Sequence, residues 1–198
     1  MKYKLLNAQR QFLEIPHNYS LDVAVYQGGY GSGKTFAGAL LGILLSLKFP
    51  GIRGLVGAQT YSLVRDTTLQ TYFEHLESMG FVSGHDYRWI SSEQKLVFYN
   101  GSEVLFRHFD EPDKLKSLNL GFVEIEEMSD VPYDTFKMLL ARMRQKISSK
   151  WTNFTYRIFG HTNPEIQKGW IYKTFFVNPP PNYRLICAPT TQNIYLPE

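Results

Sequence analysis

Gly28-Gly29-Tyr30-Gly31-Ser32-Gly33-Lys34-Thr35 separates a strand-like run, Asp22-Val23-Ala24-Val25-Tyr26-Gln27, from an apolar helical run that begins at Lys34. The octet fits Gly-x4-Gly-Lys-Ser/Thr, a phosphate loop of the Walker A kind, and a strand-to-helix junction is where that chemistry requires it. Glycines permit positive φ and turn backbone N–H groups inward, so amide dipoles and the next helix N-terminus surround a β-phosphate. Lys34 then reaches the β- and γ-phosphates, and the Thr35 hydroxyl ligates magnesium. Residues Gly28, Gly29, Tyr30, Gly31, Ser32 and Gly33 form the cradle, and the expected ligands are ATP and Mg2+. Tyr30 fills the place where a cis-acting arginine could have touched the γ-phosphate, so that role must lie elsewhere. A glycine-rich turn that binds nothing would need four glycines, a lysine and a threonine to meet at this junction by coincidence.

The flanking sequence reads as α/β. Asn7–Leu13 is a short helical stretch, residues 15–20 have turn chemistry, and Lys34–Leu47 is apolar nearly all round, as in a helix buried against a sheet. Gly54–Ala58 is a second strand and Tyr61–Ser78 a helix carrying Leu63, Leu69, Phe73 and Leu76. Residues 86–90, 95–99 and 103–108 alternate, and Asn100-Gly101 joins the last two as a hairpin turn. Asp110-Glu111-Pro112-Asp113 reads as a capped helix start; Gly121–Ile125 is a strand and Pro132–Lys146 a helix; Tyr156–Gly160 and Arg184–Ala188 are the last strands. Strands separated by helices predict a P-loop NTPase of the RecA-like, ASCE type: a mainly parallel central sheet flanked by helices, with an antiparallel β insertion. Pro179-Pro180-Pro181 falls in a loop between elements.

With 198 residues, 43% hydrophobic and 20% charged, the chain is read as one domain, 1–198, with a sizeable core. A formal charge of +3 permits a polyanionic partner without making a dedicated DNA binder. The single cysteine, Cys187, excludes an internal disulfide and reads as a small core residue. No apolar run is long enough to span a bilayer, and the start lacks a secretory signal, so a cytoplasmic protein is expected.

A P-loop ATPase that uses water as nucleophile needs a carboxylate for the magnesium shell and a second one for the water. Phe122-Val123-Glu124-Ile125-Glu126-Glu127 supplies both. Alternation puts Glu124 and Glu126 on one face of the strand, and at its exit both Glu126 and Glu127 can face the nucleotide. We assign Glu126 to hydrated magnesium and Glu127 to the catalytic water. An exposed acidic edge is the competing reading. Glu124, in an otherwise apolar strand, lies at a sheet edge or pairs with a base, which keeps the assignment of the three acids open.

Together Gln9 and Gln11, the Gly28–Thr35 loop, Gln59-Thr60-Tyr61-Ser62-Leu63-Val64-Arg65-Asp66, Asp113-Lys114-Leu115-Lys116-Ser117, Glu126-Glu127 and Gly160-His161-Thr162-Asn163-Pro164 resemble, in order and spacing, the ATPase domain of tailed-phage large terminases. The resemblance covers nearly the whole chain. It implies that Thr162 and Asn163 match a coupling motif that senses the γ-phosphate, that Gln9 lies in the region that reads adenine, and that a neighbouring subunit supplies an arginine finger. Arg142 and Arg144, on the helix after the acidic strand, are the candidates, with Lys116 and Arg65 behind them. It further implies ATP-driven movement of double-stranded viral DNA into a procapsid, with a portal protein and a small terminase subunit as partners, in the host cell cytoplasm. The active form would be a homo-oligomeric ring on the portal, and the isolated chain a monomer. The family's C-terminal nuclease, with its clustered aspartates, has no counterpart up to Tyr195-Leu196-Pro197-Glu198, so no DNA cleavage is expected of this chain. The runner-up is a helicase- or recombinase-like DNA-dependent ATPase, and a third reading is a non-motor nucleotide-binding switch or kinase. A GTPase would want Asn-Lys-x-Asp, which is absent.

Overall fold

In the computed structural model, which describes residues 4–14, 19–164 and 169–194, the chain begins α1 (Asn7–Leu13), β1 (Leu21–Gly28), α2 (Lys34–Lys48), β2 (Arg53–Ala58), α3 (Tyr61–Leu63) and α4 (Leu69–Ser78). It continues β3 (Tyr87–Ile90), β4 (Lys95–Phe98), β5 (Glu103–His108), β6 (Phe122–Glu126), α5 (Tyr133–Leu140), β7 (Tyr156–Thr162) and β8 (Tyr183–Ala188). The turn read at residues 15–18 and the end at 195–198 lie outside the described residues.

The strands form one sheet in the order β3-β4-β5-β2-β6-β7-β1-β8. From β5 to β8 every neighbouring pair is parallel, and β3 and β4 add an antiparallel ribbon at one edge, as the alternation and Asn100-Gly101 predict. Period-two patterning sends β1 residues Ala24 and Tyr26 into a core shared with Phe12 of α1, Leu41 of α2 and Leu76 of α4. Val23 and Val25 go to the opposite face, with Val123, Ile125, Ile158, and Phe136 and Leu139 of α5. Both faces of the sheet are therefore covered, which is why its central strands are mostly apolar, with Glu124 and Glu126 of β6 and His161 of β7 as buried exceptions. Among the described residues no helix is long and apolar enough to cross a membrane.

Three readings need correction. The helix over Pro132–Lys146 ends at Leu140, because Leu139 is the last residue of its apolar face to be buried. Beyond it the backbone swings to the start of β6, where Leu120 N–H donates to the Arg142 carbonyl and Gln145 N–H to the Leu120 carbonyl. Cys187 is exposed, since β8 is an edge strand with solvent on its outer side. The Asp110–Asp113 signal produces only a short 3-10 turn, Pro112–Leu115. The helix predicted over Tyr61–Ser78 is continuous but contains a π-helical turn, Val64–Thr68, between α3 and α4. Such turns insert one residue into the hydrogen-bond ladder and re-aim the side chains around them. Pro179 and Pro180 lie in the loop before β8 as expected.

Candidate functional site

The phosphate loop follows β1 at the carboxyl end of the parallel strands, where open α/β sheets place their ligands. Gly31 and Gly33 have φ of 71° and 76°, a conformation in which a side chain would be strained. Each carbonyl from residue 30 to 33 accepts a hydrogen bond from a side chain outside the loop. Thr190 Oγ1 donates to Tyr30 O at 2.9 Å, Asn193 Nδ2 to Gly31 O, Tyr26 Oη to Ser32 O at 3.1 Å, and Gln9 Nε2 to Gly33 O at 3.2 Å. With these carbonyls engaged elsewhere, none of them is needed to face an anion in the cleft, although the Ser32 N–H is itself taken by the Gly29 carbonyl at 3.1 Å. Gly33 is the N-cap of α2 and offers no capping side chain, so first-turn N–H groups remain for an anion.

Gln9, which the resemblance assigns to adenine, has its Oε1 engaged by Leu6 N–H at 2.9 Å and its Nε2 on Gly33, so what it touches is the phosphate loop. Gln9→Ala and Asn193→Ala are each expected to weaken ATP binding by about three- to tenfold, the effect of about one hydrogen bond on loop geometry. Calorimetric titration with a non-hydrolysable ATP analogue checks this, and an unchanged affinity in both variants would show that the carbonyl anchors are dispensable.

Opposite the loop, β6 ends at Glu126 and the chain turns sharply at Glu127, whose φ of 44° and ψ of 62° place a non-glycine residue in the left-handed region. That costs about 1–2 kcal/mol, and the return is that Glu127 faces the cleft instead of continuing to the far side of the sheet. Asn163, just past β7, holds the Glu127 carboxylate with both its groups: Nδ2 donates to Oε1 at 2.9 Å and backbone N–H to Oε2 at 3.1 Å. Lys34 Nζ donates to Asn163 Oδ1 at 3.0 Å and lies 3.7 Å from Glu127 Oε1. Thr162 Oγ1 donates to Ser129 Oγ at 2.7 Å, tying the end of β7 to the turn after Glu127. Lys34, Thr35, Glu126, Glu127, Ser129, Asp130 and Asn163 line a cleft of about 660 Å³, with Thr162 buried behind it. Tyr30 stands at its mouth, 83% exposed, with Lys34 Nζ 5.5 Å from its ring centre.

Behind Glu126 lies a buried polar chain. Thr68 Oγ1, at the end of the π turn, donates to Glu126 Oε2. His161 of β7 has Nδ1 3.2 Å from Glu126 Oε1, an ion-pair distance off the line of a hydrogen bond, and Nε2 3.3 Å from Glu124 Oε1. Tyr72 of α4 donates from Oη to Glu124 Oε2 at 2.8 Å. Glu124 therefore sits not at an edge but in an interior strand, fully buried and paired with a base. Room for these groups comes from α2: a Cβ at Gly38 would lie 2.5 Å from Glu124 Oε1 and one at Gly42 1.7 Å from Tyr72 Oη. Burial alone would push the His161 imidazolium down, but Glu126 and Glu124 outweigh it and lift it to about 10. Burial works to raise Glu126, yet His161, Thr68 and Lys34 pull it below the usual range. Glu124, for which burial dominates, is raised. The chain thus carries a cationic imidazolium beside an ionised Glu126.

The sequence model of the phage terminase large subunit family, Terminase_3, matches residues 21–196, all eight strands and both acids included. The chain belongs to the phage terminase large subunit family. The PBSX phage terminase large subunit of Bacillus subtilis (strain 168) is 35% identical over 150 residues, 75% of this chain and 33% of that protein. The large terminase of a thermophilic bacteriophage, solved with ADP, superposes with a TM-score of 0.80 at 14% identity over 98% of this chain and 48% of that one. The ATPase domain of the Thermus phage P74-26 large terminase gives a TM-score of 0.63 at 17% identity over 94% of this chain and 81% of that one. This terminase chain thus spans about a third of the curated relative and about half of the ADP-bound terminase.

Within this terminase fold the arginines predicted for a finger are not brought to the chain's own cleft. Arg142 and Arg144 lie past α5 at the opposite end of the strands, where Arg142 Nη1 donates to the Lys116 carbonyl. Lys116 pairs with Asp113 at 2.6 Å, and Arg65 with its neighbour Asp66 at 2.6 Å. Arg65 is the nearest to the cleft in sequence, lying between the lining residues Leu63 and Thr67. Sequence reading missed Thr68, Tyr72, His161, Thr190 and Asn193. Two signals were there to find: a histidine and a glutamate in adjacent apolar strands, and Gly38 and Gly42 one turn apart on an apolar helix.

Proposed function

We propose that this chain binds ATP with magnesium and hydrolyses it to drive double-stranded viral DNA into a procapsid, as the motor portion of a terminase large subunit. The observation that carries this reading is one cleft in which Lys34 on the phosphate loop faces Glu127, with Asn163 gripping both. The ADP complex of the thermophilic phage terminase, on the same fold, supports ATP as substrate.

Thr35 and Glu126 fit magnesium, being hard oxygen donors beside the phosphate loop with no sulfur ligand among the residues lining the cleft. Thr68 and His161 already occupy the inner side of Glu126, which suits it to hold the ion through water. Bound there, the ion would neutralise phosphate charge. The rest falls to the protein. Loop amides and the α2 N-terminus bind the phosphates, and Lys34 exchanges Asn163 for phosphate oxygen. Glu127, held by Asn163, orients the attacking water and takes its proton, so catalysis is mostly positioning. Thr162 and Asn163 join the γ-phosphate region to β7 and the Ser129 turn, a route by which hydrolysis moves the DNA-gripping parts. Gln9 helps to hold the loop against the base. A finger from a neighbouring copy, with Arg142, Arg144, Lys116 and Arg65 as candidates, completes the site in a ring on the portal, with the small terminase subunit as a further partner. The setting is the host cytoplasm, and DNA cleavage is not assigned to residues 1–198, which we take as one ATPase domain.

Lys34→Ala tests the reading. It is expected to weaken ATP binding with magnesium by at least about 100-fold, since a charge-assisted contact in a desolvated site is lost. Calorimetry on the folded variant decides it, and retention of wild-type uptake and turnover would remove the proposal.

A further inference from the structure

We propose that His161, with Glu124, Tyr72 and Thr68, forms a positioning unit that holds the Glu126 carboxylate in the orientation that presents it to a hydrated divalent ion. The inference rests on the reading of Glu126 as the residue of the magnesium shell.

Glu126 is 3% exposed, and both of its oxygens are met from the protein side, one by the Thr68 hydroxyl and one by the His161 ring. A carboxylate offers about four lone-pair directions, so two holds fix its plane and leave the cleft side for a water ligand. The ring is itself held. Its other nitrogen faces Glu124, and Glu124 is pinned by Tyr72 from α4 and closed in by Gly38 and Gly42 of α2. His161 stands directly across from Glu126 in the β6–β7 register, and two residues on, Asn163 grips Glu127. One register of β7 therefore sets both acids at once. Packing alone gives no reason for a buried imidazole between two buried carboxyl groups, because polar groups are costly to desolvate and apolar residues of the same volume would serve. Outer ligands that fix a carboxylate are what a metal site needs if its geometry is to be set before the ion arrives.

The test compares wild type, Thr68→Val, the charge-balanced pair Glu124→Gln with His161→Gln, and Glu126→Gln. Manganese(II) binding in the presence of ADP is read by electron paramagnetic resonance, and ADP affinity is measured separately in EDTA. The expected result is a half-saturating manganese concentration raised at least fivefold in Thr68→Val and at least tenfold in the double variant. Metal-free ADP affinity should stay within twofold, a split that general loosening of the fold would not produce. If Glu126→Gln weakens manganese binding while both other variants match wild type, the positioning role is wrong and the reading of Glu126 stands. If Glu126→Gln binds manganese as wild type does, the reading of Glu126 fails and takes this inference with it. Should the double variant not fold, Thr68→Val, which swaps a hydroxyl for a methyl, decides alone by the same criterion.

Discussion

Glu127→Gln is expected to lower the ATP turnover number by about 10²–10⁴-fold while leaving ATP binding at least as tight as in the wild type. Gln cannot accept the proton of an attacking water, and its amide presents only one acceptor to the two Asn163 donors that Glu127 satisfies together. Binding is spared for an electrostatic reason. The carboxylate 3.7 Å from Lys34 competes with phosphate for the ammonium, and neutralising it frees Lys34 for the nucleotide. Phosphate release under saturating ATP and titration with a non-hydrolysable analogue measure the two effects. Turnover within a few-fold of wild type would favour a kinase or a binding switch, neither of which needs a base on water.

The second large effect is on stability. Gly42→Ala would ordinarily gain up to about 1 kcal/mol in a helix, yet here a net loss of about 2–4 kcal/mol is expected. The new Cβ would lie 1.7 Å from Tyr72 Oη, 2.9 Å from Cζ and 3.2 Å from Glu124 Oε2, and Tyr72 is fully buried. Overpacking costs about 1–3 kcal/mol, and displacing the hydroxyl strips a hydrogen bond from a buried carboxylate, about 1–3 kcal/mol more. Urea unfolding of Gly42→Ala, Tyr72→Phe and the double variant separates the two contributions. The double variant should be less destabilised than the sum of the singles, because the clashing oxygen is already gone. A Gly42→Ala protein as stable as wild type would mean that α2 and α4 are not packed as described.

The parts of this chain legible from its sequence are those whose cause is local. The octet at 28–35 states its own geometry, because glycine spacing and a Lys-Thr pair at a strand end allow few alternatives. Alternation in Phe122–Glu126 put Glu124 and Glu126 on one face of the strand, and His161 meets both of them there. What stayed hidden depends on register between distant segments. Nothing in Tyr156–Thr162 alone says that His161 will stand opposite Glu126, and nothing in Thr190 or Asn193 says that β8 will return them to the phosphate loop. The end of α5 was misread because Arg142–Lys146 retains helix-favouring residues, while the bonds that divert it belong to Leu120. Cys187 was misread because apolar neighbours say nothing about whether a strand is central or last in the sheet.

The outward-tied carbonyls at Tyr30, Gly31, Ser32 and Gly33 draw their donors from three separate parts of the fold: α1, β1 and the turn after β8. Conformational freedom in the loop is therefore surrendered when the chain folds rather than when nucleotide arrives, so capture of a triphosphate requires little further ordering. Affinity and tertiary integrity are in this way linked quantities, and loosening of the helix at one terminus or of the sheet's outer strand would first register as a weaker grip on phosphate.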